Sequence, residues 1–338
     1  MSELKKRLQQ GTVIVAEGYL FEMERRGYMK AGPFVPEVVL DHPEALRQLH
    51  REFLRAGSDV IEAFTYYAHR DKLKVVGRER DLEKLNRQAL RIAKEVADEG
   101  NALMAGNICN TWVYDPENQE TWKEVYNMFD EQVRWAKEEG ADYIIAETLF
   151  YLGEAVIALE VIKFHGLEAV VTFAPFHKNT LDGYEYEDAC NILEEFGATA
   201  VGMNCGAGPD TMLYIIKKIR DKVCGPVACL PVPYRTTPEQ PNFQKLKTRN
   251  GEQAFPVLLE EHLLNRKEVA EFSMEAKKLG VQYLGLCCGG APHFIRSMAE
   301  SLGRKVEASK YSPDLSKHAV LGSITKKHNQ KNSGDWRT

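Results

Sequence analysis

Three cysteines are the residues of this sequence whose type and spacing most clearly suggest chemistry. Cys205 ends the segment GMNC, and Cys287 and Cys288 stand side by side in GLCCGG. Three thiolates suit Zn²⁺ and leave a fourth coordination position open, as in catalytic zinc sites. Adjacent residues of a regular strand point to opposite faces, so the pair can share one ion only if the strand breaks there. Gly289 and Gly290 permit that break, because glycine adopts backbone angles that other residues avoid.

The remaining cysteines and the histidines are interpreted as structural. Seven cysteines are an odd number in a large chain whose N-terminus lacks the apolar region of a signal peptide. We therefore expect reduced thiols and a cytoplasmic location. The nine histidines include no HxxxH pair and are interpreted as surface or packing residues. The cysteines interpreted as small core residues are Cys109, Cys190, Cys224 and Cys229.

The composition argues against several classes of protein. The 338 residues are 44% hydrophobic and 28% charged, and the net charge of -5 is spread along the chain. These values are typical of a globular protein. There is no basic stripe that would predict nucleic-acid binding, and no apolar run approaches the roughly 18 residues of a membrane span. We expect small-molecule substrates and neither a nucleic-acid nor a membrane partner.

Short apolar runs alternate with amphipathic stretches of helical length along the chain. Apolar, β-branched runs are expected of strands that are buried on both faces. The eight predicted strands cover residues 12–18, 59–65, 101–109, 142–148, 168–175, 199–205, 226–233 and 281–288. The longest predicted helices lie between them, at 42–57, 82–100, 121–140 and 265–280. This rhythm predicts a single-domain α/β fold, a (β/α)8 TIM barrel. A doubly wound open sheet is the competing interpretation, but no GxGxxG follows the first strand.

Two regions depart from the alternation. The predicted barrel covers residues 10–305, and a polar tail follows over 306–338. A long connection rich in Pro, Gln and Asn follows the seventh strand, over 233–262. It should lie on the side of the strand C-termini, where barrels carry their active sites. It is interpreted either as a lid or as a surface insertion.

Polar residues stand where the predicted strands end. In a barrel these ends face the catalytic mouth. Carboxylates and thiols are not expected at the ends of ordinary buried strands, so their presence indicates a functional site. Only the seventh strand separates the sixth strand from the eighth, which predicts that the three thiols lie close together. The residues at the strand ends are Glu17, Thr65, Cys109, Glu147, Cys205, Cys287 and Cys288.

At these residues the chain resembles the zinc-dependent homocysteine S-methyltransferases, most closely their betaine–homocysteine branch. The resemblance rests on GMNC, on GLCCGGAPHFIR and on residues 25–73, and it spans residues 10 to about 305. It implies a (β/α)8 barrel in which Cys205, Cys287 and Cys288 hold one Zn²⁺. The ion would take the thiolate of homocysteine, whose thiol otherwise has a pKa of about 8.5. The thiolate would then attack a methyl group of an ammonium or sulfonium donor and form methionine.

The resemblance also implies roles for residues around the metal. Glu147 matches a family glutamate that meets the amino group of homocysteine, with a helix N-cap charge as the alternative. Tyr67 matches a tyrosine near the metal and the donor, with simple packing as the alternative. These two are the predicted catalytic residues. Asn204 is expected either to support the metal site by hydrogen bonds or to be a turn residue. Thr65 is expected to hydrogen-bond the substrate.

The sequence departs from the family pattern at several expected substrate-binding residues. The usual Asp-Gly-Gly at the end of the first strand is Glu17-Gly18-Tyr19 here. Phe34 stands where the betaine branch has tryptophan, and Thr148 where it has tyrosine. Aromatic faces bind trimethylammonium groups, and tryptophan binds them best, so these changes should weaken the cage. The residues that could rebuild it are Tyr19, Tyr66 and Tyr151.

Three functions stay open at this point. The first is methyl transfer from a betaine-like donor to homocysteine. The second is the same zinc–thiol chemistry with another donor, such as dimethylsulfoniopropionate or S-methylmethionine, or with another thiol. The third is a non-catalytic barrel that binds zinc or a thiol. A homo-oligomer is one of the partners considered, but the chain stops earlier than the betaine enzymes, whose C-terminal extension builds their oligomer, so the oligomeric state stays open.

Overall fold

Eight parallel strands close into a barrel in sequence order, and the first strand pairs with the last. This arrangement is seen in a computed structural model that describes residues 1–29 and 32–317. The strands are β1 (Val13–Ala16), β2 (Val60–Glu62), β3 (Leu103–Cys109), β4 (Tyr143–Leu149), β5 (Ala169–Phe173), β6 (Ala200–Asn204), β7 (Val227–Leu230) and β8 (Val281–Leu286).

Helices surround the barrel and connect successive strands. They are α1 (Glu3–Gln10), α2 (Tyr19–Arg25), α3 (Val38–Asp41), α4 (Pro43–Ala56), α5 (Arg70–Val75), α6 (Leu82–Gly100), α7 (Gln119–Glu138), α8 (Leu152–Phe164), α9 (Tyr186–Glu195), α10 (Pro209–Lys222), α11 (Arg266–Lys278) and α12 (Pro292–Ser301). None of the helices in the described ranges is long and apolar enough to cross a membrane.

Local sequence explains where several helices begin and end. Asn265 caps α11 by accepting hydrogen bonds from the backbone N–H groups of residues 267 and 268, and Glu268 completes a capping box. Pro292 occupies the first turn of α12, where its missing N–H costs nothing. Gly57 ends α4 with φ of 107°, a left-handed angle that favours glycine. These ends hold the helices at the lengths needed to return to the next strand.

Two apolar cores position the site. The larger one fills the space between the helices and the outer face of the barrel. The smaller one fills the barrel interior, where Tyr143 and Tyr283 share a hydrogen bond of 3.0 Å between their hydroxyls. Leu4 and Leu8 of α1 pack against this interior core. The barrel is therefore a packed column rather than a pore.

The predicted fold is confirmed, with strands shorter than the apolar runs suggested. The run predicted as 226–233 is a strand only over Val227–Leu230, and the run predicted as 281–288 ends at Leu286. Because β8 ends before Cys287, the Cys287–Cys288 pair lies outside the strand. Of the predicted tail over 306–338, Glu307–Tyr311 and Leu315–Lys317 form short 3-10 helices, and 318–338 lie outside the described residues.

Candidate metal centre and substrate cavities

The three cysteines of the predicted metal site converge at the barrel mouth. Cys205 follows β6, and Cys287 and Cys288 follow β8. Their sulfur atoms all lie within 4.8 Å of one another, and the Sγ atoms of Cys287 and Cys288 are 4.0 Å apart. Sulfur ligands about 2.3 Å from a tetrahedral ion would stand roughly 3.8 Å apart. The three sulfurs therefore fit a metal ion with little movement.

Unusual backbone angles turn the sulfurs inward. Cys205 has φ of 57° and Gly289 has φ of 94°, both in the left-handed region. A Cβ added at Gly289 would lie 2.6 Å from the Tyr234 hydroxyl. A Cβ added at Gly18 would lie 1.9 Å from the carbonyl oxygen of Gly290. Gly18, an expected substrate-binding residue, thus allows β1 to pack against the turn that carries two of the thiols.

The three thiols influence one another's protonation. Hydrogen bonds from Cys287 and Cys288 lower the pKa of Cys205 well below its usual value. In turn the pKa values of Cys287 and Cys288 are raised, first because of their hydrogen bonds with Cys205. The group thus releases one proton readily and retains the others, and a bound cation would favour release of the rest.

Asn204 connects the thiol group with Glu147. Its side-chain nitrogen donates to Glu147 Oε2 at 2.6 Å and to Thr148 Oγ1 at 2.9 Å, and it lies 3.7 Å from Cys287 Sγ. Its oxygen accepts from the Thr148 N–H at 2.8 Å and from the Thr172 hydroxyl at 3.0 Å. Asn204 is fully buried, so these contacts hold Glu147 and Thr148 in place beside the thiols.

Three buried carboxyl groups lie beside the thiols, and one of them, Glu62, was missed by sequence reasoning. Glu17, Glu62 and Glu147 line one small inner pocket. Burial raises the pKa of Glu17 and of Glu62 well above the usual value, and the Glu147 charge raises both further. Burial also raises the pKa of Glu147 to about 7. The amide nitrogen of Asn107 bridges two of them, donating to Glu62 Oε1 and to Glu147 Oε1.

A second, wider cavity opens above the thiols. Its volume is about 490 Å³, within the range of pockets that hold drug-sized ligands. Six of the residues singled out in the sequence line it: Phe34, Tyr66, Tyr67, Thr148, Cys205 and Cys288. Sequence reasoning missed the aromatic residues that complete the wall, among them Phe21, Trp112, Phe150, Phe176, Phe243 and Phe255.

The long connection over 233–262 forms part of this wall. Residues 242–245 and Phe255 line the cavity. The Phe243 ring stacks on Tyr234 at 5.8 Å and 5° and meets Phe255 edge-on at 5.5 Å. The connection lies at the strand C-termini, as predicted, and its aromatic side chains are packed into the site.

The aromatic set differs from the one that the sequence suggested. Tyr66 lines the wide cavity, whereas Tyr151 packs on Tyr114 at 5.1 Å and does not line either cavity in the described part of the chain. Tyr19 lies deeper, against His50 at 4.9 Å, and lines the inner pocket. Trp112 takes the open position at the rim, with 62% of its surface exposed.

A lysine completes the outer cavity. The Lys72 ammonium lies 4.3 Å from the centroid of the Tyr67 ring and 5.3 Å from that of Trp112. The Trp112 ring N–H donates to the Tyr67 hydroxyl at 2.9 Å. Within the described residues, the lining contains Lys72, Lys245 and His177 but no carboxylate. The outer cavity is therefore basic and aromatic, and the inner pocket is acidic.

Two residues stand apart from the sequence-based expectation. Thr65 donates its hydroxyl to the Asn107 carbonyl at 2.7 Å and lies outside the lining of both cavities. Cys224 is exposed, so the interpretation of this thiol as a core residue is wrong. It lies two residues after Lys222, the last residue of α10, where the chain meets solvent. Cys109, Cys190 and Cys229 are buried as expected.

Comparisons with known proteins agree with this geometry. The family model described as homocysteine S-methyltransferase matches residues 13–302. Betaine–homocysteine S-methyltransferase 1 of Xenopus tropicalis is 36% identical over 335 residues, covering 96% of this chain and 81% of that protein. S-methylmethionine–homocysteine S-methyltransferase of Rattus norvegicus is 36% identical over 325 residues, covering 94% and 85%.

A solved structure shares the fold. The metallated form of the homocysteine methyltransferase MmuM from Escherichia coli superimposes with a TM-score of 0.68 at 17% identity, covering 86% of this chain and 96% of that one. With a family model matched across nearly all of the barrel and relatives at 36% identity, the chain belongs to the homocysteine S-methyltransferase family.

Proposed function

We propose that this protein is a zinc-dependent methyltransferase that moves a methyl group from a betaine-like donor to homocysteine. The observation that carries the proposal is the convergence of Cys205, Cys287 and Cys288 within 4.8 Å. Cys288 lines both the acidic inner pocket and the aromatic outer cavity. A metal held by these sulfurs would stand between a place for the amino acid acceptor and a place for the donor.

Zinc, when bound, would supply a Lewis acid that favours the thiolate form of the acceptor. Glu147 and Glu17 supply negative charge for the acceptor's ammonium group. Asn204 fixes Glu147 through its 2.6 Å hydrogen bond. In the transfer, a sulfur–carbon bond forms while the donor's carbon–nitrogen or carbon–sulfur bond breaks, and the electron pair leaves with the neutral amine or sulfide. Opposite charges are lost in this step, so a cavity that excludes water favours it.

The outer cavity fits a zwitterionic donor such as betaine, whose cationic group can meet the aromatic rings and whose carboxylate can meet Lys72 or Lys245. Rings of Phe34, Tyr66, Tyr67 and Trp112 surround the approach to Cys205 and Cys288, and aromatic faces attract ammonium and sulfonium groups. The relatives are named for betaine and for S-methylmethionine as donors. A donor bulkier than betaine is the second candidate. The cavity of about 490 Å³ favours it, as do the smaller side chains of Phe34 and Thr148.

A donor panel tests both candidates. The zinc-loaded protein would be incubated with homocysteine and, in turn, betaine, dimethylsulfoniopropionate and S-methylmethionine, with methionine measured by mass spectrometry. Formation of methionine from at least one donor supports methyl transfer, and the ranking by kcat/KM identifies the donor class. Homocysteine binding without turnover of any donor would instead favour the non-catalytic barrel.

All seven cysteines are free, which supports a reducing compartment such as the cytoplasm.

A further inference from the structure

Trp112 stands at the rim of the outer cavity in a strained backbone conformation. Its φ angle is 63°, in the left-handed region that residues with bulky side chains rarely adopt. Its ring N–H donates to the Tyr67 hydroxyl at 2.9 Å, while 62% of its surface is exposed. Strained angles of this kind persist only where the surrounding structure enforces them. Because most of Trp112 lies in solvent, packing of the ring is a weak constraint, and the neighbouring residues supply the stronger one.

Hydrogen bonds of Thr111 fix the backbone on both sides of Trp112. Thr111 donates its backbone N–H to Glu154 Oε1 at 2.8 Å and its hydroxyl to the same oxygen at 2.6 Å. The Thr111 hydroxyl in turn accepts from the Val113 N–H at 3.2 Å. Glu154 thus holds the residue before Trp112 directly and orients the hydroxyl that holds the residue after it.

Glu154 can anchor this loop because it lies on a fixed helix end. It belongs to the first turn of α8 and is 2% exposed. Asp182 secures the same turn, since its two carboxylate oxygens accept from the N–H groups of Leu152 and Gly153, each at 2.9 Å. Burial of a carboxyl group is costly unless the group is hydrogen-bonded. The two hydrogen bonds from Thr111 therefore account for a glutamate at this buried position.

Glu154 has no direct access to a substrate. Within the described residues it lines neither cavity, whereas Trp112 lines the outer one. We infer that Glu154 is a positioning residue for the methyl donor and that, through Thr111, it holds the Trp112 ring at the outer cavity. The inference rests on the proposed function, which places the donor in that cavity. It extends the determinants of donor affinity to a helix behind the cavity wall.

A double-mutant cycle tests whether Glu154 acts through Trp112. Wild type, Glu154→Ala, Trp112→Ala and the double variant would be assayed with whichever of betaine, dimethylsulfoniopropionate and S-methylmethionine wild type uses best. We expect Glu154→Ala to raise KM for the donor by about 3- to 10-fold, with kcat and KM for homocysteine within about twofold of wild type. In the Trp112→Ala background the same substitution should change KM for the donor by less than about twofold. Glu154→Gln keeps an acceptor oxygen and should restore most of the wild-type KM.

Glu194→Ala is the matched control for a purely structural effect. Glu194 lies on α9 and accepts the backbone N–H groups of Cys224 and Gly225 from a loop, as Glu154 does from another. It lines neither cavity in the described part of the chain, so its removal should lower Tm and leave KM for the donor unchanged. The inference is overturned if Glu194→Ala raises this KM as much as Glu154→Ala does. It is also overturned if the effect of Glu154→Ala persists in full without the Trp112 ring.

Hydrogen exchange of the Trp112 indole N–H provides a measurement that needs no turnover. Its NMR signal can be assigned with Trp112→Phe, and in Glu154→Ala this N–H should exchange with water at least about threefold faster than in wild type. Unchanged exchange would overturn the role of Glu154 while methyl transfer stands. No methyl transfer by wild type would overturn the function, and the exchange rates would still decide the role of Glu154. If Glu154→Ala melts early, Thr111→Val removes the hydroxyl and must show the same faster exchange.

Discussion

The side-chain nitrogen of Asn204 donates to Glu147 Oε2 at 2.6 Å, from the residue immediately before Cys205, one of the three proposed metal ligands. The end of β6 therefore serves two purposes with consecutive residues. Cys205 would contribute a sulfur to the proposed metal site, and Asn204 holds the carboxylate of Glu147. Any movement of this strand end would disturb both at once.

Removal of one sulfur should abolish metal binding. In Cys205→Ala only two thiolates remain, too few for a stable site of this kind. We expect zinc to fall from about one ion per chain to nearly none after dialysis, measured by inductively coupled plasma mass spectrometry. Cys190→Ala, which removes a buried thiol of α9, should retain its zinc. Full zinc content in Cys205→Ala would contradict the assignment of the ligands.

Loss of the Asn204 side chain should destabilise the protein more than loss of any one of its partners. Asn204→Ala leaves the Thr148 N–H without its acceptor at 2.8 Å and Glu147 without its donor. We expect a loss of about 2–4 kcal/mol in the free energy of unfolding, measured by urea denaturation of the zinc-free protein. Thr172→Val removes one hydrogen bond of 3.0 Å and should cost about 1 kcal/mol. Equal losses would show that the network contributes little.

The conformation of the CCGG turn can be tested by adding one methyl group. Gly289 and Gly251 have φ of 94° and 83°, so alanine is strained by about 1 kcal/mol at either site. Only at Gly289 would the new Cβ meet another residue, the Tyr234 hydroxyl at 2.6 Å, since Gly251 has open space. Gly289→Ala should therefore lower both Tm and zinc affinity more than Gly251→Ala does. Chelator competition measures the affinity, and matching values for the two variants would refute the explanation.

Binding of the product methionine should become tighter as pH rises through neutrality. Burial raises the pKa of Glu147 to about 7, so its carboxylate is largely protonated below that pH. The carboxylate attracts the ammonium of methionine, whereas the protonated acid does not. Affinity should increase from about pH 6 to about pH 8, by up to about tenfold per unit below the pKa. Methionine has no thiol, so calorimetry with this ligand isolates the carboxyl groups, and Glu147→Gln should flatten the profile.

The rim of the outer cavity should affect the donor alone. Trp112 is exposed and lies beside Tyr67 and Lys72, so its removal should cost little stability. We expect Trp112→Ala to raise KM for the methyl donor by about 3- to 10-fold and to leave KM for homocysteine unchanged. Trp122, which stacks on Tyr114 outside the cavity, provides the control. An equal effect of Trp122→Ala on the donor would argue against a donor site at the rim.

The convergence of the three thiols could be predicted from the sequence because it follows from strand order. Cys205 and the Cys287–Cys288 pair end strands that flank β7, and parallel strands of a barrel end at one mouth. Glu62 could not be recognised in the same way, because it lies within the apolar run DVIEAFT. The structure shows its proximity to Glu147, because the side chain of Asn107 in β3 donates to both carboxyl groups.

The outer cavity was less predictable, because loops build much of it. Trp112 and Phe243 come from connections whose paths the periodicity of strands and helices does not determine. Left-handed backbone angles also direct side chains into the outer cavity. These angles occur at residues other than glycine, so the sequence does not indicate them. The non-glycine residues at the cavity with positive φ are Phe34, Tyr67, Trp112, Thr148 and Cys205. Such angles cost about 1–3 kcal/mol each and persist where the surrounding structure enforces them.

The acidic inner pocket and the aromatic outer cavity share Leu20, Tyr66 and Cys288, so the two cavities adjoin at the barrel mouth. We expect a donor that binds the outer cavity first to hinder entry of the amino acid into the inner pocket. The expected order is therefore the amino acid first and the methyl donor second. An excess of donor should then slow turnover.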